Sequence, residues 1–288
     1  MLDLVRLRVL AAVARTGSVT AAAKDLHYSQ PAVSHHLARL EAETGAALLQ
    51  RVGRGVRLTP TGALLAEWAM EIIGRVDSAA AELAAHIGLA AGKVRLAGFS
   101  SAICALVPAA SAALAATHPG LDLDVTDTEP AEALRLLRAG AVDAAIIFRY
   151  DETAPEDTGF RLHHLLDDPT YLLTADAEAA GTLAAHRDAR WVAGCERRRG
   201  HLVDLCAREG FTPRIAYSTD DMVVMQALVA AGLGVTTIPG LALRAHHAAG
   251  IVAREIPKST RHVYAATYGD PPDPPATTAL LAALREAA

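Results

Sequence analysis

The sequence predicts a multidomain chain: a small all-α head of the winged helix-turn-helix type, a long connecting helix, and a bilobed α/β body. Three observations carry this. Residues 1–58 alternate short apolar-periodic helices with turn residues and end in a glycine-flanked hairpin. Residues 60–89 then repeat apolar side chains every three or four positions without a break. From residue 93 onward, apolar strands alternate with helical segments. At 288 residues the chain exceeds what one core of usual size organises.

Composition narrows the class. Hydrophobic residues are 52% and charged residues 20%, a globular and not a disordered balance. Aromatics are only 4%, so the cores rest on Ala, Val, Leu and Ile. No apolar run reads as long enough to span a bilayer, and residues 1–6 lack the pattern of a signal peptide. A cytoplasmic location and no membrane partner are therefore expected. Cys104, Cys195 and Cys206, without a Cys-x-x-Cys, fit a reducing compartment and argue against a disulfide framework or zinc ribbon. Residues 1–60 carry +4, with eight basic side chains against Asp3, Asp25, Glu41 and Glu43, whereas the remainder carries −9. A basic head on an acidic body suits a chain whose head alone touches a polyanion.

Residues 2–15 read as a helix, because Leu4, Leu7, Leu10, Ala11 and Ala14 recur at spacings of three and four. Gly17 ends it. Ser18 reads as the N-cap of a short alanine-rich helix over 19–25. After a turn at 26–28, Ser29 caps a third helix, with Gln30 and Pro31 in the first turn, where proline forfeits no hydrogen bond. Val33, Leu37 and Leu40 share its packing face; Gln30, Ser34 and His35 lie off that face. With Ala21, Ala22 and Ala23 permitting close approach, this is a helix-turn-helix whose second helix enters a major groove N-terminus first. Residues 48–58 read as a hairpin turned by Gly53 and Gly55, a wing whose Arg51 and Arg54 can reach phosphates or a narrow minor groove.

In order and spacing, Gly17-Ser18, Ala21-Ala22-Ala23, Leu26, residues 29–34, Leu40-Glu41, Gly45, Arg51 and residues 56–62 resemble the LysR-type family of transcriptional regulators. The resemblance implies a DNA-binding regulator controlled by a small molecule, and not an enzyme. There are two departures. Leu48-Leu49 stands where the family usually has Leu-Phe. His35 stands where many members carry Arg or another long polar residue, which brings a pH-sensitive group to the base-reading face. Gln30 suits adenine through two hydrogen bonds. Ser18, Ser29 and Ser34 suit phosphates, and the first two serve as helix caps in either case. Pro31, His35, Arg39, Arg51 and Arg54 complete the expected DNA-facing set.

Thr59 and Pro60 read as the cap and first residue of the connecting helix. Leu65, Trp68, Ile72, Val76, Ala79, Leu83 and Ile87 form one apolar stripe, and the helix is expected to reach residue 89. The domain division is thus 1–60, 61–90 and 91–288. The resemblance implies a dimerising coiled pair, with Leu65, Trp68, Ile72, Val76 and Leu83 in its seam; an ordinary core helix of the body is the alternative. Two heads so joined fit an interrupted inverted repeat in double-stranded DNA. A homodimer is expected, a tetramer beyond it, and RNA polymerase is a further candidate partner.

In the body, strands at 93–99, 121–126 and 142–148 alternate with helices at 101–117, interrupted near Pro108, and at 131–139. This order favours a parallel sheet covered on both faces. A second set has strands at 171–174, 191–193, 214–218 and 235–238 and helices at 202–208 and 222–231. A returning strand at 261–268 and a last helix at 277–286 follow. Lobe I is then 91–160 with 268–288, and lobe II is 161–267. Two lobes joined by crossing strands resemble a periplasmic-binding-protein fold, which binds ligands in its cleft.

The LysR likeness continues through Gly140-x-Val142-Asp143-Ala144-Ala145-Ile146 and residues 228–235 with Pro239. It maps effector contacts to Ser100, Ser101, Thr126, Thr128, Phe148 and Arg149, and in the second lobe to Cys195 and Thr219. Ser100 and Ser101 open a helix, a place that suits a carboxylate, and Arg149 adds positive charge, so an anionic effector is expected. Capping is the alternative for the serines. Arg197, Arg198 and Arg199 read as a solvated loop.

Other chemistries find little support. Gly53-x-Gly55 and Gly232-Leu233-Gly234 sit in the wrong context for a dinucleotide loop. His35-His36, His163-His164 and His246-His247 are adjacent, not spaced to share a helix face, so no metal is expected. No Gly-x-Ser-x-Gly is present, and neither catalytic residues nor cofactors are expected. Cys195 and Cys206 invite comparison with peroxide-sensing relatives, but their surroundings do not match, and buried thiols are the expectation. The body alone would also suit a solute-binding protein or an enzyme; the attached head speaks against both.

Overall fold

The computed structural model describes residues 2–52, 55–86, 92–151, 159–175 and 181–288. The head comprises α1 (Leu4–Thr16), α2 (Val19–Asp25) and α3 (Gln30–Thr44), then the antiparallel pair β1 (Leu49–Val52) and β2 (Gly55–Leu58). Leu7, Leu10, Val13, Val33, Leu37 and Leu40 form the shared core, as their spacing requires. Glu41 ties helix to wing: its Oε1 accepts from the amides of Leu48 and Leu49 at 2.8 and 3.2 Å. Gly53 and Arg54, the expected wing tip, lie outside the described residues.

The connecting helix is α4 (Pro60–His86). Thr59 Oγ1 accepts from the Gly62 amide at 3.0 Å and donates to the Ala47 carbonyl at 2.7 Å. A Cβ on Gly62 would lie 2.0 Å from the Leu48 carbonyl oxygen, so only glycine lets α4 cross β1 this closely. The expected end of the helix, with Ile87, lies outside the described residues. Leu65 is a correction: it is half-buried against the head core, not on the open stripe. Leu64, at 57% exposure, takes its place beside Trp68, Ile72, Val76 and Leu83. Farther along, Gly74 meets the body backbone to backbone; a Cβ there would lie 2.1 Å from the Ala139 carbonyl oxygen.

Among the described residues, the body is built on one mixed sheet of eight strands in the order β4-β3-β5-β10-β6-β9-β7-β8. These are β3 (Gly92–Gly98), β4 (Leu121–Asp127), β5 (Ala144–Arg149), β6 (Phe160–Thr174), β7 (Arg190–Ala193), β8 (Arg214–Ser218), β9 (Val235–Pro239) and β10 (Val252–Tyr268). In lobe I, α5 (Ser100–Thr117) and α10 (Pro275–Ala287) cover one face and α6 (Pro130–Arg138) the other. In lobe II, α7 (Glu196–Arg208) covers one face, and α8 (Met222–Ala230) with α9 (Gly240–Ala245) covers the other.

Several expectations need correction. α5 runs unbroken through Pro108, because burial of Leu106, Val107 and Ala110 outweighs one lost backbone bond. Contrary to the bilayer reading above, α5 is long and apolar enough by length and composition, at 18 residues and a mean hydropathy of 1.6. Its apolar face is spent within lobe I, on β3 and α10. The strand expected at 171–174 begins at Phe160, and the returning strand begins at Val252. Both run through the two lobes and pair with each other along their length. The lobes therefore divide inside these strands, near Asp168 and Thr260, and not at 160–161 and 267–268. The run at 197–199 is no loop. It lies in the first turn of α7, and Arg198 is buried.

At that crossing lies a buried ion pair. Arg261 and Asp168 are 1% and 2% exposed, 2.7 Å apart. Arg261 Nη2 donates to Ser101 Oγ of α5 at 2.8 Å, and Asp168 Oδ1 accepts from the Leu241 amide of α9 at 2.9 Å. The guanidinium lies 4.7 and 4.6 Å from the ring centres of Phe99 and Phe148. Arg261→Met strands the Asp168 charge in this interior and is expected to cost about 3–5 kcal/mol in urea unfolding. Arg261→Met with Asp168→Leu should cost less than the single change; a single-variant loss under about 1 kcal/mol would show that the pair does not hold the lobes.

Candidate functional site

The head presents a polar face on α3. Ser29, Gln30, Pro31, Ser34, His35 and Arg39 are all exposed, while Val33, Leu37 and Leu40 anchor the opposite side. Ser18 Oγ accepts from the Ala21 amide at 3.4 Å and Ser29 Oγ from the Ala32 amide at 3.3 Å. Both serines therefore cap their helices. Each hydroxyl keeps its own O–H as a donor, so capping and phosphate contact are compatible. Arg51 belongs to β1.

The second site lies between the lobes. Ser101 and Phe148 meet at Arg261, as described above. Arg197, at the start of α7, donates across the cleft to the Phe148 carbonyl at 2.7 Å. Cys195 precedes α7, and Arg198 Nε donates to its sulfur at 3.4 Å, while burial and the Glu129 carboxylate of lobe I both raise the thiol pKa. Arg198 Nη2 donates to the Asp220 carboxylate at 3.3 Å, and next to it Thr219 Oγ1 accepts from the Asp221 amide. Tyr150 stacks on His201 at 3.7 Å, and His201 Nε2 meets Ser259 Oγ at 2.8 Å. Burial pushes the Tyr150 hydroxyl pKa up.

Not every expected residue joins this cluster. Ser100 bonds the Asp127 carboxylate at 3.0 Å, an acidic neighbour that repels an anion there. The capping alternative fails as well, because Phe99 is the N-cap and no side chain caps α5. Thr128, half-buried after β4, bonds the Gly98 carbonyl through its amide at 2.8 Å. Thr126 is exposed on the sheet face opposite Val125, which packs toward α5. Arg149 alternates with Phe148 along β5, lies over Tyr264 at 5.9 Å, and is not a partner of Ser101. Arg261, Asp168, Arg197 and Arg198 were the residues missed. No local signal marked them: Asp168 and Arg261 stand among polar neighbours in their strands, and Arg197 and Arg198 fall within a basic run.

Two family models match. Residues 4–63 fit the bacterial regulatory helix-turn-helix protein, lysR family, and residues 88–288 fit the LysR substrate binding domain. The chain belongs to the LysR family. It is similar to the HTH-type transcriptional regulator TfdS of Cupriavidus pinatubonensis, with 31% identity over 81% of each chain. Its fold matches full-length CbnR complexed with target DNA, at a TM-score of 0.69 and 23% identity over 100% of both chains. A full-length OxyR variant from Pseudomonas aeruginosa matches at a TM-score of 0.73 and 25% identity, over 99% of this chain and 95% of that one. This LysR-type chain is thus a DNA-binding transcriptional regulator with an effector-binding domain, and not an enzyme.

Its cysteines are poorly placed for redox chemistry. Cys195 is the N-cap of α7 and Cys206 lies in its last turn, about 16 Å away along the helix, beyond the reach of a disulfide unless α7 unwinds. Burial raises the Cys195 thiol and pushes Cys206 up to about 11. Cys104 is exposed. Native protein treated with a thiol reagent at mildly alkaline pH should label Cys104 first and Cys206 only on unfolding. Rapid labelling of Cys206, or a peroxide-driven bond between Cys195 and Cys206, would contradict this.

Proposed function

We propose that the protein acts as a homodimer joined through α4, binds an interrupted inverted repeat, and responds to an anionic small molecule held between the lobes. The observation that carries this is the division of α4 into two apolar sides. Leu65, Ala66, Ala69 and Ile73 face the head core. Leu64, Trp68, Ile72, Val76 and Leu83 stay exposed on the other side, with Trp68 at 55%. An open apolar stripe of this length suits a second α4. Two α3 helices held by such a pair reach half-sites one or more turns of DNA apart.

The cleft supports the effector. Arg197, Arg198 and Arg261 bring three guanidinium groups to its wall. Asp168 engages Arg261 in the interior, whereas Asp220, 65% exposed, engages Arg198 from the rim. An entering carboxylate can exchange for Asp220 without stranding a buried charge. Binding then shifts the lobes' equilibrium, and α4 passes the change to the heads. A DNA partner fits a cytoplasmic location; pairing of dimers into tetramers and contact with RNA polymerase belong to the same reading.

Gln30→Ala should weaken binding to the specific site by about 1–3 kcal/mol while leaving nonspecific binding at matched salt nearly unchanged. Equal losses on both DNAs would remove Gln30 from base reading. Trp68→Asp with Ile72→Asp should convert the dimer to monomer in sedimentation; an unchanged oligomer would overturn the α4 assignment.

A further inference from the structure

We propose that His164, Asp167 and His262 form a site for a divalent transition-metal ion of the zinc class, at the crossing of β6 and β10. The adjacency of His163 and His164 bears only on partners within one strand. The cluster arises across two strands. His262 pairs directly with Asp167 in register. His164 and Asp167 are three residues apart, which in a regular strand puts them on opposite faces. The register shifts between Val263 and Tyr264, where Leu166 faces Val263 but His164 faces Tyr264. That bulge accommodates one extra residue and turns His164 to the face that Asp167 and His262 share.

The donors already converge. His164 Nε2 and His262 Nδ1 lie 2.7 and 2.8 Å from the same Asp167 oxygen, and the three ligand atoms fall within 4.8 Å of one another. Two imidazoles and one carboxylate match the donors of zinc and its neighbours, not of calcium or magnesium. Asp151 supplies the outer partner: its Oδ1 lies 3.1 Å from His262 Nε2, so this nitrogen is held by a carboxylate while Nδ1 faces the site. On coordination the metal replaces the proton shared between His262 Nδ1 and Asp167. Arg149, across the strand from His262, is the nearby opposing charge, set against Asp151 and Asp167. His164 and Asp167 are 51% and 58% exposed, so solvent supplies the remaining ligands. Because Asp167 and His262 directly adjoin Asp168 and Arg261, a bound ion clips the two crossing strands together where the lobes diverge.

The test is equilibrium dialysis of the full chain, stripped with chelator, against zinc ions, with cobalt ions as the spectroscopic probe. The expected result is one zinc per chain and visible cobalt bands of nitrogen–oxygen ligation. Both should be lost in His164→Ala with His262→Ala, and independently in Asp167→Asn. Both should persist in His163→Ala and in His35→Ala. Asp151→Asn should weaken binding by about 10–100-fold with the stoichiometry intact. Melting curves of the metal-free variants would show that the fold survives. No zinc bound to the parent chain, or zinc retained by folded His164→Ala with His262→Ala, overturns the proposal.

Discussion

The body depends on one constraint: a salt bridge that must stay closed because neither partner can reach water. Arg261 and Asp168 sit where β6 and β10 pass from one lobe to the other. Each also holds a second element, Ser101 of α5 in lobe I and the Leu241 amide of α9 in lobe II. A buried pair of this kind adds little net stability compared with a hydrophobic replacement, yet losing one partner is costly. Its use here is positional. It fixes which faces of the lobes approach, and so brings Ser101 and Phe148 of lobe I to the crossing, where Arg197 of lobe II bonds the Phe148 carbonyl.

The head solves its packing problem with side-chain oxygens that accept from backbone amides. Serine caps start α2 and α3, Glu41 holds the amides that open β1, and Thr59 closes the turn into α4. None of these groups needs the DNA, so the exposed polar face of α3 is preformed. The same economy shapes α4, one side of which completes the head core while the other stays open. It meets the body backbone to backbone at Gly74, against the turn at Ala139 and Gly140, and through Met70, whose sulfur lies 3.9 Å from Arg135 Nη1.

Legibility in the sequence followed periodicity. Helices α1, α2, α3 and α4 and strands β3 and β8 announced themselves through apolar spacing and caps, and the exposed polar face of α3 came with them. What stayed hidden was polar and non-local. β6 carries Arg161, His163, His164, Asp167 and Asp168, which break the alternation of a strand, so only its apolar end was visible. Arg198 reads as part of a solvated run because, apart from Cys195, its partners Asp220 and the sulfur of Met222 lie more than twenty positions away. Leu64 and Leu65 are neighbours with equal hydropathy, and only the angle at which α4 crosses the head decides which is buried. Position in the chain puts Arg149 beside Phe148, whereas strand alternation turns it to the other face.

The account's central claim is that a sequence-specific, two-fold head is governed by the cleft behind it. The most direct measurement is a footprint of the full chain across the DNA upstream of its own gene, at stated salt. The account predicts protection of an interrupted inverted repeat, with two half-sites separated by whole turns of the duplex. Protection that spreads evenly over unrelated DNA and disappears with rising salt would reduce the head to a nonspecific polyanion binder and contradict the claim.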